Sequence, residues 1–395
     1  MNEPPSHRRK QSTWVSGPGA ELPIANGSML PLERCSNERA SAPSHYDRIK
    51  MPSISRVSVE HFPPASFALV MATGIVSIGA WQFDLAMLAV ALFAFNVAAY
   101  VAVACLTALR LIRYPRLLLA DMTDHRLGPG FFTAVAASCI LGSQFLLIAG
   151  SLAAASAFLA LGTALWVGLT YTIFAAFTVK RDKPALDKGL TGSWLIAVVA
   201  TQSIAVLAAA IAARWSEPFR LELNFFALSM WLWGGMLYIW IISLIFYRET
   251  FFIFSPGDLT PPYWINMGAM AISTLAGTGL IGNAPDAPFL AALLPFLKGF
   301  TVFYWATGTW WIPMLLVLEA WQHLVRRFPL RYDPLYWGAV FPLGMYTVAT
   351  RRMTAALGLP FLDPLAPAFF VVALLAWTLV FIALLWELLR GRRET

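Results

Sequence analysis

The sequence predicts an all-α polytopic membrane protein with ten transmembrane helices, and three observations lead to this class. Of the 395 residues, 58% are hydrophobic and only 12% are charged, whereas soluble domains carry roughly 25% charged residues. From residue 59 onward the chain divides into uncharged stretches of about 20 residues, the length with which an α-helix crosses a bilayer. These stretches are apolar on every face, whereas the strands of a membrane barrel alternate apolar and polar residues.

Residues 1–58 differ in composition from the rest of the chain. They contain Pro4, Pro5 and the basic cluster Arg8-Arg9-Lys10, and they lack an apolar run long enough for a signal peptide. We expect residues 1–58 to form a disordered basic cytoplasmic tail, 59–390 to form the transmembrane domain, and 391–395 to be a short cytoplasmic end.

The apolar stretches define ten candidate spans, each long enough to cross the membrane with some tilt. They are 63–83, 86–109, 129–150, 153–178, 190–213, 223–247, 262–282, 299–318, 334–353 and 366–386.

The positions of Lys and Arg predict the orientation, because short cytoplasmic loops carry an excess of basic residues. If the tail is cytoplasmic, 23 of the 28 Lys and Arg residues lie on the cytoplasmic side. We therefore expect both termini to lie in the cytoplasm. We expect the protein itself to lie in the plasma membrane, which in a bacterium is the inner membrane. The net charge of +7 then reflects this topology and attraction to anionic lipid, rather than a nucleic-acid partner.

The odd-numbered spans share a repeat at their starts, in which a helix-initiating residue precedes a large aromatic by three positions. The five pairs are Pro64 and Phe67, Pro129 and Phe132, Thr191 and Trp194, Pro261 and Trp264, and Pro334 and Trp337. Pro and Thr favour helix starts, which explains the first member of each pair. The even spans are plainer apolar stretches, so the repeat predicts five inner pore-lining helices (odd) and five outer helices (even).

The residues one to two turns beyond each aromatic are the candidate pore lining. Four residues beyond it lie Met71, Ala136, Val198, Gly268 and Phe341. Phe341 is the aromatic residue of this set, and the other four side chains are smaller. Six or seven residues beyond it, mostly small or weakly polar residues follow, and the candidates among them are Thr73, Gly74, Ser138, Thr201, Ala271 and Gly344. The competing interpretation is that these small residues serve close packing between helices.

None of the inner stretches 63–83, 129–150, 190–213, 262–282 and 334–350 contains a carboxylate, Lys, Arg or His. Proton-coupled carriers usually hold such a group within the membrane, so this composition favours a channel or facilitator. Cys35, Cys105 and Cys139 are widely spaced and suit neither a disulfide framework nor a metal site. We expect no cofactor, no metal site and no enzymatic activity.

Four segments resemble one known family. HFPPASF (61–67), MATG (71–74), WWIP (310–313) and YWGAVFPLG (336–344) are similar to the tellurite-resistance and C4-dicarboxylate transporter family of TehA-like proteins. That family includes fungal malate permeases, sulfite efflux pumps and plant slow-type anion channels. The resemblance covers residues 59–390.

The resemblance implies a quasi-fivefold ring of inner helices around a central pore, an outer layer of five helices, and a homotrimer with one pathway in each subunit. It also implies that an aromatic residue of the ninth helix occludes the pore, and the matching position is Phe341. The alternative role for Phe341 is ordinary packing. A hydrophobic constriction closes a pore by excluding water.

Three sets of charged residues are candidates for the ends of the pore, each with a simpler alternative role. His61, beside the start of the first span, is either a pH-sensing residue at the cytoplasmic pore mouth or a plain interfacial residue. Lys298 either attracts anions to the outer vestibule or extends to the lipid headgroups. Arg351 and Arg352 either attract anions or simply end the ninth helix.

The sequence thus predicts transport of small anions, such as chloride, nitrate, a malate-like dicarboxylate or sulfite, through a central pore occluded by Phe341. The alternative is a proton-coupled C4-dicarboxylate transporter, or an exporter that confers sulfite or tellurite resistance.

Overall fold

Ten long helices make up most of the part of the chain that the structure describes. The computed structural model describes residues 59–391, except residues 217 and 331, so the predicted tail at 1–58 and the last four residues lie outside the described residues. The helices are α1 (Ala68–Gln82), α2 (Ala86–Arg113), α3 (Phe132–Leu147), α4 (Leu152–Val179), α5 (Ile196–Ala212), α6 (Phe219–Phe251), α7 (Ile265–Asn283), α8 (Leu294–Ala320), α9 (Trp337–Leu357) and α10 (Leu365–Gly391).

Nine of these ten helices, within the described residues, are long and apolar enough to cross a membrane. The remaining helix, α9, has 21 residues, but Arg351, Arg352 and several threonines make it less apolar than the others. The prediction of an all-helical membrane protein is therefore confirmed. Each predicted span coincides with one long helix, although α6 and α8 extend several residues beyond the predicted starts.

Every odd-numbered helix begins with a short 3-10 turn at the predicted repeat. The five turns are Pro64–Phe67, Gly128–Phe131, Gly192–Leu195, Pro261–Trp264 and Pro334–Tyr336. Pro occupies one of the first positions in four of them, where its missing N–H would be unpaired in any case. Thr191 precedes the third turn, but its side chain makes no capping hydrogen bond.

The odd-numbered helices contact one another in cyclic order. α1 contacts α3, α3 contacts α5, α5 contacts α7, α7 contacts α9, and α9 contacts α1. Each even-numbered helix packs against the odd-numbered helix that precedes it. Between 67% and 89% of the apolar stretch is buried in α1, α3, α5 and α7, against 11% to 50% in the even-numbered helices. The odd-numbered helices are thus more buried than the even-numbered ones.

The aromatic residues of the repeat pack toward the even-numbered helices rather than toward one another. The Phe67 ring lies 5.6 Å from Tyr100 of α2, and the Trp337 ring lies 6.3 Å from Trp377 of α10. Trp264 donates from Nε1 to the carboxylate of Glu319 in α8 at 2.5 Å. The repeat therefore anchors the start of each odd-numbered helix to the outer layer.

A second repeat joins each even-numbered helix to the next odd-numbered helix by a hydrogen bond from an aromatic side chain. The five bonds are Tyr100 to Ser138 at 2.8 Å, Trp166 to Thr201 at 2.8 Å, Trp231 to the Ser273 carbonyl at 2.8 Å, Trp305 to Thr350 at 3.0 Å and Trp377 to Thr73 at 3.0 Å. Buried polar groups need such partners.

Two buried arginines fasten the N-terminal ends of the odd-numbered helices. Arg110, near the end of α2, donates to the carbonyls of Glu60 and Phe62 at 2.9 Å each, and it pairs with Asp121 at 2.7 Å. Arg248, near the end of α6, donates to the carbonyl of Asp187 and pairs with Asp258 at 3.2 Å. Because buried guanidinium groups need carboxylate and carbonyl partners, these two residues fix the loops that precede the inner helices.

Candidate functional site

Two cavities lie within the bundle of odd-numbered helices, and each is lined by residues of α1, α3, α5, α7 and α9. The narrow cavity has a volume of about 20 Å³ and lies at the N-terminal ends of these helices. The wide cavity has a volume of about 580 Å³ and lies at their C-terminal halves. Neither cavity is lined by a described residue of an even-numbered helix.

One helical turn separates the two cavities on three helices. Met71, Val199 and Phe341 line the narrow cavity. The residues four positions later, Ile75, Ser203 and Met345, line the wide cavity. The side chain of Phe341 is 1% exposed and that of Met71 is 4% exposed. The two cavities are therefore separated at this level by buried, mainly apolar side chains.

Phe341 lies beside a constrained part of α9. Pro342 follows it within the helix, and because Pro lacks an N–H, the carbonyl of Gly338 has no intrahelical donor at this position. Gly268 of α7 faces the ring of Pro342, and a Cβ on Gly268 would lie 2.7 Å from Pro342 Cγ. Only a residue without a side chain permits this approach between α7 and α9.

Met71 and Phe341 are the two predicted lining residues that the structure brings to the same cavity. Thr73, Ser138 and Thr201 are instead turned toward outer helices, where they bind the aromatic side chains described above. They line neither cavity, so the structure does not bring these three predicted lining residues together with Met71 and Phe341. The physical reason is that a buried Trp N–H or Tyr hydroxyl requires a hydrogen-bond partner.

The predicted glycines lie at helix contacts. A Cβ on Gly74 would lie 2.5 Å from Ile140 Cγ2, and one on Gly344 would lie 2.8 Å from Ile75 Cγ2. Gly268 contacts Pro342, as described above. None of the three lines a cavity, so the alternative interpretation, close helix packing, applies to them.

Ala136, Val198 and Ala271 are buried and line neither cavity. In α5 the narrow cavity is lined by Ile196 and by Val199, which lies one position after the predicted Val198. A shift of one residue rotates a side chain by about 100° around a helix, so Val199 faces the narrow cavity and Val198 does not.

The two predicted vestibule residues do not line the cavities either. His61 is exposed in the turn Val59–His61, and Lys298 is exposed on α8. The described cationic residues of the wide cavity are Arg214, just beyond the end of α5, and Arg352 of α9. Arg214 had not been singled out from the sequence.

The cavity-lining residues recur in the sequence at the spacing of one helix face, and this spacing points to Arg352. In α9 the side chains at 345, 348 and 352 line the wide cavity, and in α1 those at 75, 78 and 82 do so. These spacings are those of one helix face. Extending this spacing from Phe341 by 4, 7 and 11 residues leads to Arg352.

A helical bundle with cavities along its axis is the architecture of a membrane transport protein, and the sequence identifies the family. Residues 61–385 match the voltage-dependent anion channel family, SLAC1, and the chain belongs to this family.

Relatives span three groups of organisms. An uncharacterized membrane protein of Mycobacterium tuberculosis is 42% identical over 152 residues, which are 38% of this chain and 77% of the relative. An uncharacterized transporter of Methanocaldococcus jannaschii is 26% identical over 314 residues, 77% of this chain and 88% of the relative. A sulfite efflux pump of Arthroderma benhamiae is 24% identical over 351 residues, 82% of this chain and 90% of the relative. The resemblance inferred from the sequence motifs is thereby confirmed.

Proposed function

We propose that this protein conducts small anions passively through a central pore formed by the five odd-numbered helices and closed by Phe341. All ten long helices, including α9, cross the membrane in this proposal, and the inner five form a quasi-fivefold ring. The single observation that carries the proposal is the interruption between the narrow and the wide cavity at the turn that contains Phe341 and Met71. The family membership supports anions as the transported ions.

The chemistry of the closed level suits a gate. Phe341 and Met71 offer no charge and no hydrogen-bonding group, so an ion would have to lose its hydration there without compensation. A hydrophobic constriction of this kind excludes water and closes a pore without a covalent or ionic lock. Rotation of the Phe341 side chain to another rotamer would open the pathway.

The experiment that tests this proposal compares the wild type with Phe341→Ala in planar bilayers containing chloride, nitrate or malate. We expect the truncation to raise the conductance on the order of tenfold or more, since each ~1.4 kcal/mol removed from a barrier changes a rate about tenfold. Val340→Ala is the matched control, because Val340 is also buried but lines neither cavity. Equal conductance of the two variants would disprove the gate.

A second candidate function is proton-coupled transport of a dicarboxylate, and one observation favours it. The carboxylate oxygens of Glu249, near the end of α6, have no hydrogen-bond partner among the described residues, as expected of a proton-carrying group. However, Glu249 lies on an outer helix and lines neither cavity. Passive conduction therefore remains the leading proposal.

The reversal potential separates the two candidates. A current that reverses at the Nernst potential of the anion, with no shift in a pH gradient, supports passive conduction. Uphill uptake of malate into liposomes, driven only by a pH gradient and lost in Glu249→Gln, would support coupled transport instead. Export of sulfite, the activity named for the fungal relative, is tested in the same liposomes with sulfite loaded inside.

We also propose a homotrimer with both termini in the cytoplasm. The trimer is supported by the family resemblance, and the orientation by the distribution of Lys and Arg.

A further inference from the structure

The chain that follows α8 presents apolar side chains to the outside of the protein. It begins with a π-helical turn, Trp321–Val325, and extends to Leu330; residues 321–330 are called the connecting segment below. Three of its side chains, those of Leu324, Val325 and Leu330, are each at least 70% exposed. A group of exposed apolar side chains of this kind marks a surface that contacts a membrane or another molecule.

The connecting segment is bound to the loop that follows α6, and that loop is apolar as well. Gln322 is buried, and its Nε2 donates to the carbonyls of Pro256 at 2.7 Å and Leu259 at 3.0 Å. At the end of α6, Phe251 is 75% exposed and Ile253 is 96% exposed. Both of the loops that Gln322 joins therefore carry exposed apolar side chains.

The backbone of the connecting segment is fixed by hydrogen bonds. The amide of Arg326 donates to the carbonyl of Trp321 at 2.9 Å, and the amide of Phe328 donates to the carbonyl of Gln322 at 3.0 Å. Arg327, between these two donors, has a φ of 49°, in the left-handed region that residues other than glycine rarely adopt. π-helical turns and left-handed residues of this kind concentrate at functional sites, which suggests a role beyond linking two helices.

The same segment carries positive charge beside its apolar side chains. Arg326 and Arg327 directly follow Leu324 and Val325, and both arginines are exposed. The guanidinium carbon of Arg326 lies 6.0 Å from the centroid of the Trp321 ring. Within the described part of the chain neither arginine forms an ion pair with a carboxylate, and the sequence 321–330 contains no Asp or Glu.

The length of α8 places the connecting segment at the level of the lipid headgroups. The helix from Leu294 to Val325 has 32 residues, or about 48 Å at ~1.5 Å per residue. A bilayer has a hydrocarbon core of roughly 30 Å and measures roughly 40–45 Å with its headgroups. Leu316 and Val317 of α8 are more than half exposed, so the apolar side chains of the segment continue the lipid-facing side of this helix.

We propose that the connecting segment and the end of α6 form a binding site for anionic lipid, in the leaflet at the N-terminal ends of the odd-numbered helices. Leu324, Val325 and Leu330 enter the boundary between headgroups and acyl chains, as apolar residues of interfacial segments do. Arg326 and Arg327 bind the headgroup phosphate, which suits the geometry of guanidinium groups.

A lipid is favoured over a soluble protein because the surface continues the lipid-facing side of α8 and its exposed charges are all positive. Anionic lipids of one leaflet attract such charges. The inference goes beyond the proposed function, since lipid binding at this surface does not require that the protein conducts ions.

Quenching of a fluorophore on the connecting segment tests the site. The full-length protein with Cys35→Ser, Cys105→Ser and Cys139→Ala receives Leu330→Cys, which is labelled with an environment-sensitive fluorophore. The labelled protein is placed in phosphatidylcholine nanodiscs, in which an increasing fraction of the lipid is brominated phosphatidylglycerol or brominated phosphatidylcholine. The measured quantity is the mole fraction of brominated lipid that gives half-maximal quenching.

The variants are Arg326→Gln, Arg327→Gln and the double substitution. Arg181→Gln is the matched control, because it removes the same charge from an exposed position in the loop between α4 and α5, at the same end of the protein. Leu324→Ser tests the apolar contact. Since all four positions are exposed, the variants should fold, and their thermal unfolding temperatures verify this.

We expect the wild type to reach half-maximal quenching at a lower mole fraction of the anionic lipid than of phosphatidylcholine. Arg326→Gln and Arg327→Gln should each raise the value for phosphatidylglycerol about fivefold, the contribution of one basic residue near an anionic surface. Arg181→Gln should stay within about twofold of the wild type, and Leu324→Ser should weaken quenching by both lipids. High salt should reduce the preference for phosphatidylglycerol.

Three results would overturn the proposal. Equal quenching by the two lipids would show no preference for anionic headgroups. Equal weakening by Arg181→Gln and Arg326→Gln would show attraction by the overall surface charge and no local site. Absence of quenching by either lipid in the folded wild type would assign the apolar surface to contact with a protein. The conductance of Phe341→Ala is measured separately, so failure of the gate leaves the lipid site standing, and failure of the lipid site leaves the gate standing.

Discussion

Three residues of one turn of α9 contribute different physical properties to the closed level that we propose. Phe341 places a buried apolar ring at the narrow cavity. Pro342 removes the intrahelical hydrogen bond to Gly338, whose backbone lines the narrow cavity. Met345, one turn later, belongs to the wide cavity. In the proposed pore, a single turn thus carries the plug, the weakened backbone and one lining residue of the wide cavity.

His125 is a residue whose protonation should affect stability. It lies in the loop before α3, and its ring stacks on Phe177 at a centroid distance of 4.3 Å. Desolvation lowers its pKa, and the charges of Lys180 and Lys183 lower it further, while Asp124 acts in the opposite sense. Because the unfolded chain then binds a proton more readily than the folded protein, His125 makes the protein less stable as the pH falls below about 6.5.

We therefore expect the thermal unfolding temperature of the wild type to fall between pH 7.5 and pH 5. His125→Phe keeps an aromatic ring against Phe177 and removes the titration, so it should lose less stability over the same range. The measurement is unfolding in detergent followed by intrinsic fluorescence at several pH values. An identical pH dependence in wild type and His125→Phe would contradict the prediction.

At the scale of helices, the contact between α7 and α9 positions the backbone beside Phe341, the gate that we propose. Gly268 allows Pro342 to approach α7 closely, since a Cβ at 268 would lie 2.7 Å from Pro342 Cγ and 2.9 Å from Pro342 Cβ. Adding a methyl group forces α7 or α9 to shift at this contact, and Phe341 directly precedes Pro342 in α9. A packing change at Gly268 therefore acts on the proposed closed level without altering Phe341 itself.

We expect Gly268→Ala to destabilise the protein by about 1–3 kcal/mol, as overpacked cores do, and to raise the basal anion conductance. Gly299→Ala in α8 is the control, because nothing lies within 4 Å of a Cβ at that position, and it should be neutral or slightly stabilising. Denaturant titrations and planar-bilayer recordings measure the two effects. If Gly268→Ala is clearly destabilised but its conductance is unchanged, packing at Gly268 does not control the gate and the conductance prediction is wrong.

At the scale of the whole molecule, two sets of contacts hold the helices in position. One set is hydrogen bonds between helices, and the other is the ion pairs of two buried arginines. The aromatic hydrogen bonds join α10 to α1 and each other even-numbered helix to the odd-numbered helix that follows. The clamps of Arg110 and Arg248 fix the loops before the inner helices. The inner bundle is thus supported by the outer helices along its length and by ion pairs at its N-terminal ends.

The orientation of the molecule is open to a direct test with introduced cysteines. In a background of Cys35→Ser, Cys105→Ser and Cys139→Ala, we expect Asp363→Cys, between α9 and α10, to react with a membrane-impermeant maleimide on intact cells. Asp182→Cys, between α4 and α5, should react only after permeabilisation, because its loop carries the basic residues expected in the cytoplasm. Both positions are exposed. The opposite pattern would invert the topology.

The sequence predicted the helices well because their signals are local. A run of apolar residues between charged loops identifies a membrane helix without reference to its neighbours, and Pro at an early position identifies its start. The aromatic repeat also identified the five helices that contact one another in cyclic order. The level of Phe341 and Met71 followed from the same register.

The facing side of each inner helix was harder to predict. Thr73, Ser138 and Thr201 are weakly polar, which suggested a water-filled pathway, but each of them binds a Trp or Tyr of an outer helix. That partner lies between 35 and 304 residues away in the chain. Nothing in the local sequence reveals such a partner, so the polar residue alone does not indicate which side faces the axis.

By itself, the sequence determined the class of the protein, the positions of its helices, the division into repeated odd-numbered and plainer even-numbered helices, and the family. Only the tertiary structure decided which residues line the cavities. Val199 rather than Val198 lines the narrow cavity, and Arg214 and Arg352 rather than Lys298 line the wide one. The physical reason is that an inner membrane helix is apolar on all sides, so its pattern of hydrophobic residues carries little information about direction. Direction is set by packing and hydrogen bonds between helices distant in sequence.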